Sequence, residues 1–471
     1  MEAISNSAGF AGMGSGRLRG CVLGLLVLLV LSCEQMVVGV DLSDKEQASV
    51  ARFQEYLKID TVHPFPNYFP VTDFLIGQAK QIGLDIKVLE YAQAKPVVLM
   101  SWEGTEPLLP SVLLNSHTDV VPVEFANWKY PPFSATMDEA GNIYARGSQD
   151  MKCVGMQYLE AIRSLKASGY KPQRSIHVSF VPDEEIGGSD GAQKFYESED
   201  FTELNVALVL DEGLASEDNN YRVFYAERSV WWFYITAKGH PGHGSRLLEG
   251  MAMENLRISL DKIAEFRTSE FDKVKSGEKA EGEVISVNNV YLTAGTPTPT
   301  GFVMNLQPSE AEAGFDMRLP PIVDTDALQK RMDEEWAPAS RNVTCRFIQK
   351  KGVLNKFGKP SMTLLDELNP WWPLFQESVA KAGGKLARPE IFMASTDARF
   401  PRFQGIPAIG FSPMSNTPIL LHDNNEFLNV KEYLKGVKVY EQILQSFTSP
   451  TEETPSKSST GAFTETIHSE L

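Results

Sequence analysis

The apolar positions in the first half of the chain predict strands that alternate with helices. Ser43 is suited to cap a helix that ends near Leu57, because its hydroxyl can accept a hydrogen bond at the helix start and Val50, Phe53 and Leu57 form an apolar stripe. Further helices are predicted over residues 72–82 and 153–166, and strands over 86–91, 97–102, 112–116, 176–181 and 206–210. This alternation predicts an α/β fold with a mostly parallel sheet.

The pattern changes after residue 229. The next elements are predicted in the order strand, helix, strand, strand, helix, strand, over residues 231–237, 252–266, 284–292, 310–318, 326–336 and 343–349. This is the β-α-β-β-α-β order of a ferredoxin-like unit. The α/β pattern then resumes over 369–381, 407–411 and 430–447. We therefore expect a leader (1–40), an α/β domain in two parts (41–228 and 352–448), an inserted domain (229–351) and a disordered tail (449–471).

The leader has the features of a secretory signal peptide. Arg17 and Arg19 precede an apolar run over residues 21–31, and small residues follow near Gly39. The run is short for a bilayer span, although an uncleaved signal anchor is the alternative because the cleavage zone is not a clean A-x-A sequence. We expect no membrane association once the signal is cleaved.

Two further signals are consistent with the secretory pathway. Residues 468–471 read His-Ser-Glu-Leu, one residue from the H-D-E-L retention signal. Asn342 begins the sequon Asn-Val-Thr. We therefore expect a glycoprotein of the endoplasmic reticulum lumen or of the extracellular space.

The net charge indicates which class of partner to expect, and the cysteine content indicates whether disulfides are expected. The formal net charge of −17 argues against nucleic acid, whose phosphates require a basic face, so we expect a small-molecule partner. Two of the four cysteines lie in the leader. Cys153 and Cys345 are predicted to be free thiols because they fall in different predicted domains.

Polar side chains follow the predicted strands at the edge where parallel sheets bind ligands. The side chains of His117 and Asp119 share one face, because successive residues of a strand alternate, so Asp119 can accept a hydrogen bond from the imidazole. Any one such residue is more often structural than functional, but several strand ends that all offer histidine or carboxylate indicate one shared site. The further candidates are Asp150, Glu184, Glu185, Asp211 and His422.

Two imidazoles and three carboxylates are thus available as metal ligands, namely His117, His422, Asp150, Glu185 and Asp211. This set suits zinc, and also cobalt or manganese, better than calcium or copper. Two divalent ions carry four positive charges and three carboxylates carry three negative charges, so one positive charge remains. A hydroxide would neutralise it. Glu184 is predicted to be the proton shuttle, because neighbouring side chains diverge and Glu185 can bind metal while Glu184 faces the substrate.

The sequence resembles the aminoacylases, which are similar to co-catalytic zinc exopeptidases that include carboxypeptidases and dipeptidases of this fold. The resemblance covers about residues 42–447 and rests on SHTDVVPV, YARGSQDMKC, VPDEEIGG, LDEGLA, ERSVWW, NPWW, GFSPM and TPILLHD. It implies a zinc amidohydrolase that converts N-acyl-L-amino acids to a carboxylate and a free L-amino acid. It also implies two zinc ions per subunit in the α/β domain.

The resemblance implies roles for the matching residues in the zinc site. Asp150 would bridge both zinc ions. His117 and Asp211 would complete the coordination of one zinc ion, and Glu185 and His422 would complete that of the other.

The resemblance also implies catalytic and substrate-binding roles. Asp119 would orient His117, and Glu184 would act as general base and then as general acid. The inserted domain would be a lid and homodimer interface, from which His243 reaches the partner subunit's site, with His240 as the local alternative. The residues that match substrate-holding positions are His243, Asn305, Arg318, Thr396 and Arg399.

One segment departs from the family pattern. The family has a segment resembling ATDNRY, whereas residues 395–400 read STDARF, so Ala398 and Phe400 replace an amide and a phenol. This change affects the acyl-group or side-chain preference rather than the reaction. Two alternatives stay open: a carboxypeptidase or dipeptidase of the same fold, and a non-catalytic luminal binding protein. The complete set of candidate ligands and Glu184 argues against the second.

Overall fold

The computed structural model describes residues 42–449. The predicted signal peptide and most of the predicted tail lie outside the described residues. Within them, the helices are α1 (Asp44–Leu57), α2 (Phe69–Ile82), α3 (Lys152–Ala167), α4 (Ala192–Tyr196), α5 (Glu199–Glu203), α6 (Ala252–Lys275), α7 (Thr325–Arg331), α8 (Trp371–Lys381), α9 (Arg399–Phe403) and α10 (Val430–Thr448).

The first helix begins where the sequence predicts it. The Ser43 side chain accepts a hydrogen bond from the Glu46 amide, and the Glu46 carboxylate accepts one from the Ser43 amide. This reciprocal pair satisfies two amides that a helix start leaves without intrahelical partners. Val50, Phe53 and Leu57 are buried, which confirms the predicted apolar stripe.

The strands also follow the predicted order closely, with several short additions. They are β1 (Asp85–Glu90), β2 (Pro96–Trp102), β3 (Ser111–His117), β4 (Thr136–Met137), β5 (Asn142–Tyr144), β6 (Ile176–Val181), β7 (Val206–Asp211), β8 (Phe224–Glu227), β9 (Ser229–Lys238), β10 (Gly242–His243), β11 (Ser286–Ala294), β12 (Pro297–Thr298), β13 (Gly301–Phe302), β14 (Leu306–Gln307), β15 (Glu310–Leu319), β16 (Val343–Lys350), β17 (Glu390–Phe392), β18 (Ala408–Gly410) and β19 (Phe427–Asn429).

An eight-stranded sheet carries the α/β part of the chain, in the order β1-β2-β6-β3-β7-β18-β8-β17. Its central strands β6, β3, β7 and β18 are parallel to one another. Strands β3 and β6 are buried along their whole length, as expected for parallel strands covered on both faces. The predicted α/β class with a mostly parallel sheet is confirmed.

A separate four-stranded antiparallel sheet has the order β11-β15-β9-β16. Helix α6 follows β9 and helix α7 follows β15, so the predicted β-α-β-β-α-β sequence of elements is present. A π-helical turn, Met332–Trp336, continues α7. The predicted domain boundaries at 228/229 and 351/352 stay predictions.

The segment that carries the antiparallel sheet begins and ends at neighbouring positions. The Lys351 amide donates to the Val230 carbonyl at 3.1 Å, and the Ser229 hydroxyl donates to the Gly352 carbonyl at 2.8 Å. The chain therefore leaves the α/β part and returns to it at one place.

Cys153 and Cys345 are both free, which confirms the prediction that they form no disulfide. Among the helices of residues 42–449, none combines the length and the apolar character that crossing a bilayer requires.

Candidate metal and catalytic site

The site lies at the carboxyl edge of the parallel strands. His117 is the last residue of β3, and its neighbour β6 leads into a 3₁₀ turn over Glu184–Ile186. On the other side of β3, β7 ends at Asp211. Because parallel strands end at the same edge of a sheet, the residues that follow them converge there.

Asp150 joins two histidines from distant parts of the chain. Its Oδ1 lies 3.0 Å from His117 Nε2, and its Oδ2 lies 3.2 Å from His422 Nε2. His422 Nε2 also lies 3.1 Å from Glu185 Oε2. Four of the five predicted metal ligands are therefore brought together, with Asp150 in the central position.

The structure places Glu212, not Asp211, beside His117. Glu212 Oε2 is 3.6 Å from His117 Nε2, whereas Asp211 Oδ1 accepts a hydrogen bond from the Asn115 side chain at 3.2 Å. Consecutive residues at a strand end point to different sides, so only one of the two carboxylates can face the histidine. Glu212 is therefore better placed than the predicted Asp211 to share a metal ion with His117, and we propose it in place of Asp211.

Asp119 contacts His117 in a different way from the one predicted. His117 Nδ1 is 3.0 Å from the Asp119 backbone carbonyl oxygen and 3.6 Å from the Asp119 carboxylate. The carboxylate lies 2.7 Å from His63 Nε2 and accepts hydrogen bonds from the amides of Glu184 and Glu185. Asp119 thus fixes the turn that carries both glutamates as well as the His117 ring.

His63 is not among the predicted site residues. It precedes a proline in a loop with no recognisable motif, and its amide donates to the Val120 carbonyl at 3.0 Å. This pairing and the hydrogen bond from the Val120 amide to the Thr61 carbonyl bring the loop that carries His63 to Asp119. Burial would raise the pKa of Asp119, but the adjacent imidazoles of His117 and His63 hold that pKa at about 2.

Glu184 is buried beside a cationic side chain. Its Oε1 lies 3.7 Å from Arg399 Nη1, and its side chain is 10% exposed. Burial raises the pKa of Glu184 well above its usual range, and the negative charges of Glu212 and Asp397 raise it further. A carboxyl group with a raised pKa is suited to carry a proton between reacting groups.

Thr396 and Arg399, which are predicted to hold substrate, lie near the turn that carries Glu184. Arg399 Nη2 donates to the Gly187 carbonyl at 3.0 Å, on the turn that carries Glu184. The Thr396 hydroxyl donates to Glu227 at 2.9 Å, and Arg402 binds the same carboxylate at 2.9 Å. Thr396 and Arg399 are therefore close to the site, with Thr396 already hydrogen-bonded inside the protein.

The remaining predicted substrate-binding residues lie in the segment that carries the antiparallel sheet. His243 is exposed, and its Nδ1 lies 2.8 Å from the Ser245 hydroxyl oxygen. The Asn305 carbonyl accepts a hydrogen bond from the Gly244 amide, so these two candidates are neighbours. Arg318 forms a two-point ion pair with Asp316 at 2.7 and 3.0 Å. The described contacts do not join these three residues to the metal-ligand cluster.

A buried ion pair that the sequence analysis also missed supports the cluster. Arg146 Nη1 and Glu426 Oε2 are 2.9 Å apart, and Glu426 also accepts hydrogen bonds from the amides of Gln149 and Asp150. Arg146 donates to the His422 carbonyl at 3.4 Å. The pair therefore ties the Asp150 loop to the His422 loop.

The donor groups fit divalent metal ions. Zinc ligands that lie about 2.0–2.2 Å from the ion are about 3.3–3.6 Å apart in a tetrahedron, close to the 3.0–3.6 Å between the ligand atoms here. Glu185 Oε1 is buried without a hydrogen-bond partner among the described residues. Burial and the charge of Asp150 raise the pKa of Glu185 to about 7.

Comparison with known proteins identifies the family of the chain. Residues 113–446 match the model of peptidase family M20/M25/M40. The chain belongs to this family. This M20 chain is 48% identical to aminoacylase-1 of Dictyostelium discoideum over 409 residues, which cover 85% of the chain and 98% of that protein. It is 42% identical to human aminoacylase-1 over 407 residues, which cover 86% of the chain and 97% of that protein.

Solved structures share the fold. An M20 family metallo-carboxypeptidase from Sulfolobus solfataricus superposes with a TM-score of 0.62 at 15% identity, covering 86% of this M20 chain and all of that one. A tripeptidase from Staphylococcus aureus gives a TM-score of 0.64 at 18% identity, with 85% and 98% of the two chains covered. The chain is therefore an M20-type metallohydrolase by family and by fold.

Proposed function

We propose that this protein hydrolyses N-acyl-L-amino acids to a carboxylate and a free L-amino acid. The observation that carries the proposal is the position of Glu184, a buried carboxyl group on the same turn as Glu185, which lies against the cluster around Asp150. The 42–48% identity to aminoacylases over almost their whole length supports this substrate class over peptides.

We propose two metal sites that share Asp150. One would use His117, Asp150 and Glu212, and the other Asp150, Glu185 and His422, because each oxygen of Asp150 faces a different histidine. When bound, zinc ions in these sites would activate water and polarise the amide carbonyl. The two sites contain three carboxylates, the same number as the predicted set.

The protein's own groups would perform the proton transfers. Glu184 would accept a proton from the attacking water and then deliver it to the nitrogen of the leaving amino acid. Arg399, 3.7 Å away, would hold the Glu184 carboxylate in position while it is charged. Asp119 would keep the turn fixed through its hydrogen bonds to the Glu184 and Glu185 amides.

The proposed unit is a homodimer formed through the antiparallel sheet. Strand β11 is an edge strand of that sheet, and Val290, Tyr291 and Leu292 on it are 67%, 45% and 59% exposed. An exposed apolar edge strand is a favourable surface for pairing with a second chain. In such a dimer, His243 and Arg318 would serve as substrate contacts, with His243 acting on the partner's site.

We also propose that the protein enters the secretory pathway. The proposal rests on the apolar run over residues 21–31 and on the His-Ser-Glu-Leu ending. Asn342 is exposed at the turn before β16, where an oligosaccharide would have access. Amino-terminal sequencing of the secreted or luminal protein tests signal cleavage, and a loss of mass on glycosidase treatment tests glycosylation.

Hydrolysis of N-acetyl-L-methionine compared with a dipeptide of methionine tests the proposed activity. We expect hydrolysis of the N-acetyl substrate to be faster, to stop after chelation and to return when zinc is added. Preferential cleavage of the dipeptide would instead indicate a peptidase. Carboxypeptidase S of Saccharomyces cerevisiae, 34% identical over 186 residues that cover 37% of this chain and 32% of that protein, makes this the relevant second candidate.

A further inference from the structure

A cavity of about 670 Å³ lies at the opposite edge of the eight-stranded sheet from the candidate metal ligands. Pro110, Val206 and Pro407 line it, and each is at or directly before the first residue of a parallel strand, β3, β7 or β18. Among the candidate ligands, His117 instead ends β3, Glu185 follows the end of β6 and Glu212 directly follows β7. The cavity is therefore distinct from the proposed catalytic site, and its size is that of a small-molecule pocket, roughly 300–1,000 Å³.

Two buried cations, Arg174 and Arg402, line this cavity, and Arg402 is already paired with Glu227 at 2.9 Å. Arg174 is 2% exposed, and its Nη1 donates to the Pro110 carbonyl at 3.1 Å. Its Nε has no hydrogen-bond partner among residues 42–449, and its guanidinium carbon lies 5.5 Å from the ring centroid of Trp371. Burying a charged donor without an acceptor costs free energy, so this side chain is poised to meet an anion.

The exposed lining of the cavity is largely apolar, with Lys359 as an exposed cation. Phe357, Leu364 and Leu368 all line it, and they are 66%, 41% and 67% exposed. Grouped exposed apolar side chains around a concave surface are typical of ligand-binding sites. A ligand that matches this lining combines an anionic head with an apolar chain.

We propose that this cavity binds a small amphipathic carboxylate, of the medium-chain fatty acid class. Its carboxylate meets Arg174, because a guanidinium group forms strong charge-assisted hydrogen bonds with carboxylates. Its chain packs against Phe357, Leu364 and Leu368. The site is independent of the proposed hydrolysis, since none of these residues contacts the metal-ligand cluster.

Calorimetric titration of the zinc-loaded full-length protein with decanoate tests the proposal. We expect binding of decanoate and not of decylamine, which has the same chain and the opposite charge. Arg174→Gln should weaken the binding by about 10-fold or more, since a hydrogen bond to a charged group contributes roughly 1.5–3 kcal/mol. Equal affinity for decanoate and decylamine would overturn the carboxylate assignment.

A surface variant keeps the test valid if Arg174→Gln does not fold. Leu368→Glu places a negative charge at the exposed mouth and should also weaken decanoate binding. Leu108→Glu is the matched control, because Leu108 is 92% exposed and does not line the cavity. Unchanged decanoate affinity in Leu368→Glu would exclude this cavity as the binding site.

The location of the ligand provides a second readout. A decanoate that carries a photoreactive diazirine at its chain end should label peptides within residues 355–371, and excess decanoate should suppress the labelling. Labelling confined to peptides that contain His117, Glu185 or His422 would show that the carboxylate binds only at the metal site. That outcome would overturn the proposal without affecting the hydrolase assignment, which has its own test.

Discussion

Arg146 and Glu426 form an ion pair of 2.9 Å in the protein interior, 3% and 0% exposed at their side chains. Through this pair, the loop that carries Asp150 and the loop that carries His422 share one set of hydrogen bonds. The pair contacts the candidate ligands without being one of them. It therefore determines how far apart two of the ligands lie before any metal binds.

We predict that Glu426→Gln weakens metal binding by about 10–100-fold, the range for loss of a group that positions metal ligands. The variant should also unfold more easily, by about 3–5 kcal/mol, because Arg146 is left buried without its counter-charge. Zinc content after dialysis against buffered free zinc and chemical denaturation measure the two effects. Glu377→Gln, an exposed change on α8, is the control. Wild-type zinc affinity in Glu426→Gln would refute the positioning role.

A second prediction distinguishes Glu212 from Asp211. Glu212→Gln should lower zinc content to about one ion per chain, because it removes the carboxylate that faces His117. Asp211→Asn should retain both ions, since its carboxylate contacts Asn115 instead. Elemental analysis of the two purified variants decides the matter, and the reverse pattern would restore the assignment made from sequence.

A third prediction concerns the proton shuttle. Glu184→Gln keeps the shape of the side chain but cannot accept a proton, so kcat should fall by about 10²-fold or more while zinc content is unchanged. Glu185→Gln is the comparison, in which loss of zinc should accompany loss of activity. A Glu184→Gln enzyme with full zinc and near-normal kcat would mean that another residue is the base.

Complementation between two inactive variants tests the proposed role of His243 across the dimer. A neutral imidazole donating to the developing oxyanion contributes about 10²–10³ in kcat, so His243→Ala should be nearly inactive. Mixed dimers of His243→Ala and Glu184→Gln chains should regain activity, because one site then combines an intact base with an intact donor. Verified mixed dimers without activity would exclude a contribution of His243 to the partner's site. His240→Ala is the local control.

The acid sensitivity of the fold provides a fifth prediction. Burial lowers the pKa of His177 from 6.5 to about 4, so folded His177 stays neutral while the unfolded chain binds a proton below pH 6.5. Stability is therefore lost as the pH falls from about 6.5 to 4. When the pH is lowered from 7.5 to 5, the free energy of unfolding should fall in both the wild type and His177→Gln. The fall should be about 1–2 kcal/mol smaller in His177→Gln. Urea denaturation at both pH values measures this difference, and equal losses would contradict it.

Much of the site could be predicted from the sequence because its residues follow strong local patterns. His117 ends β3 and Glu185 lies shortly after the end of β6, and these apolar strands pair in parallel, so their proximity follows from the strand order. The choice between Asp211 and Glu212 could not be predicted, since it depends on the rotation of the chain at the end of β7. His63 could not be found either, because its contact with Asp119 depends on a bridge between Val62 and Val120.

The hydrogen bonds between Val230 and Lys351 and between Ser229 and Gly352 have a consequence for the ancestry of the chain. Because the segment that carries the antiparallel sheet starts and ends at adjoining points, a tight turn could connect the flanking residues if that segment were removed. Gain or loss of the whole antiparallel sheet therefore requires no rearrangement of the strands that bear the metal ligands. At such a junction, a gene can gain a segment of another gene while the α/β part of its protein product still folds.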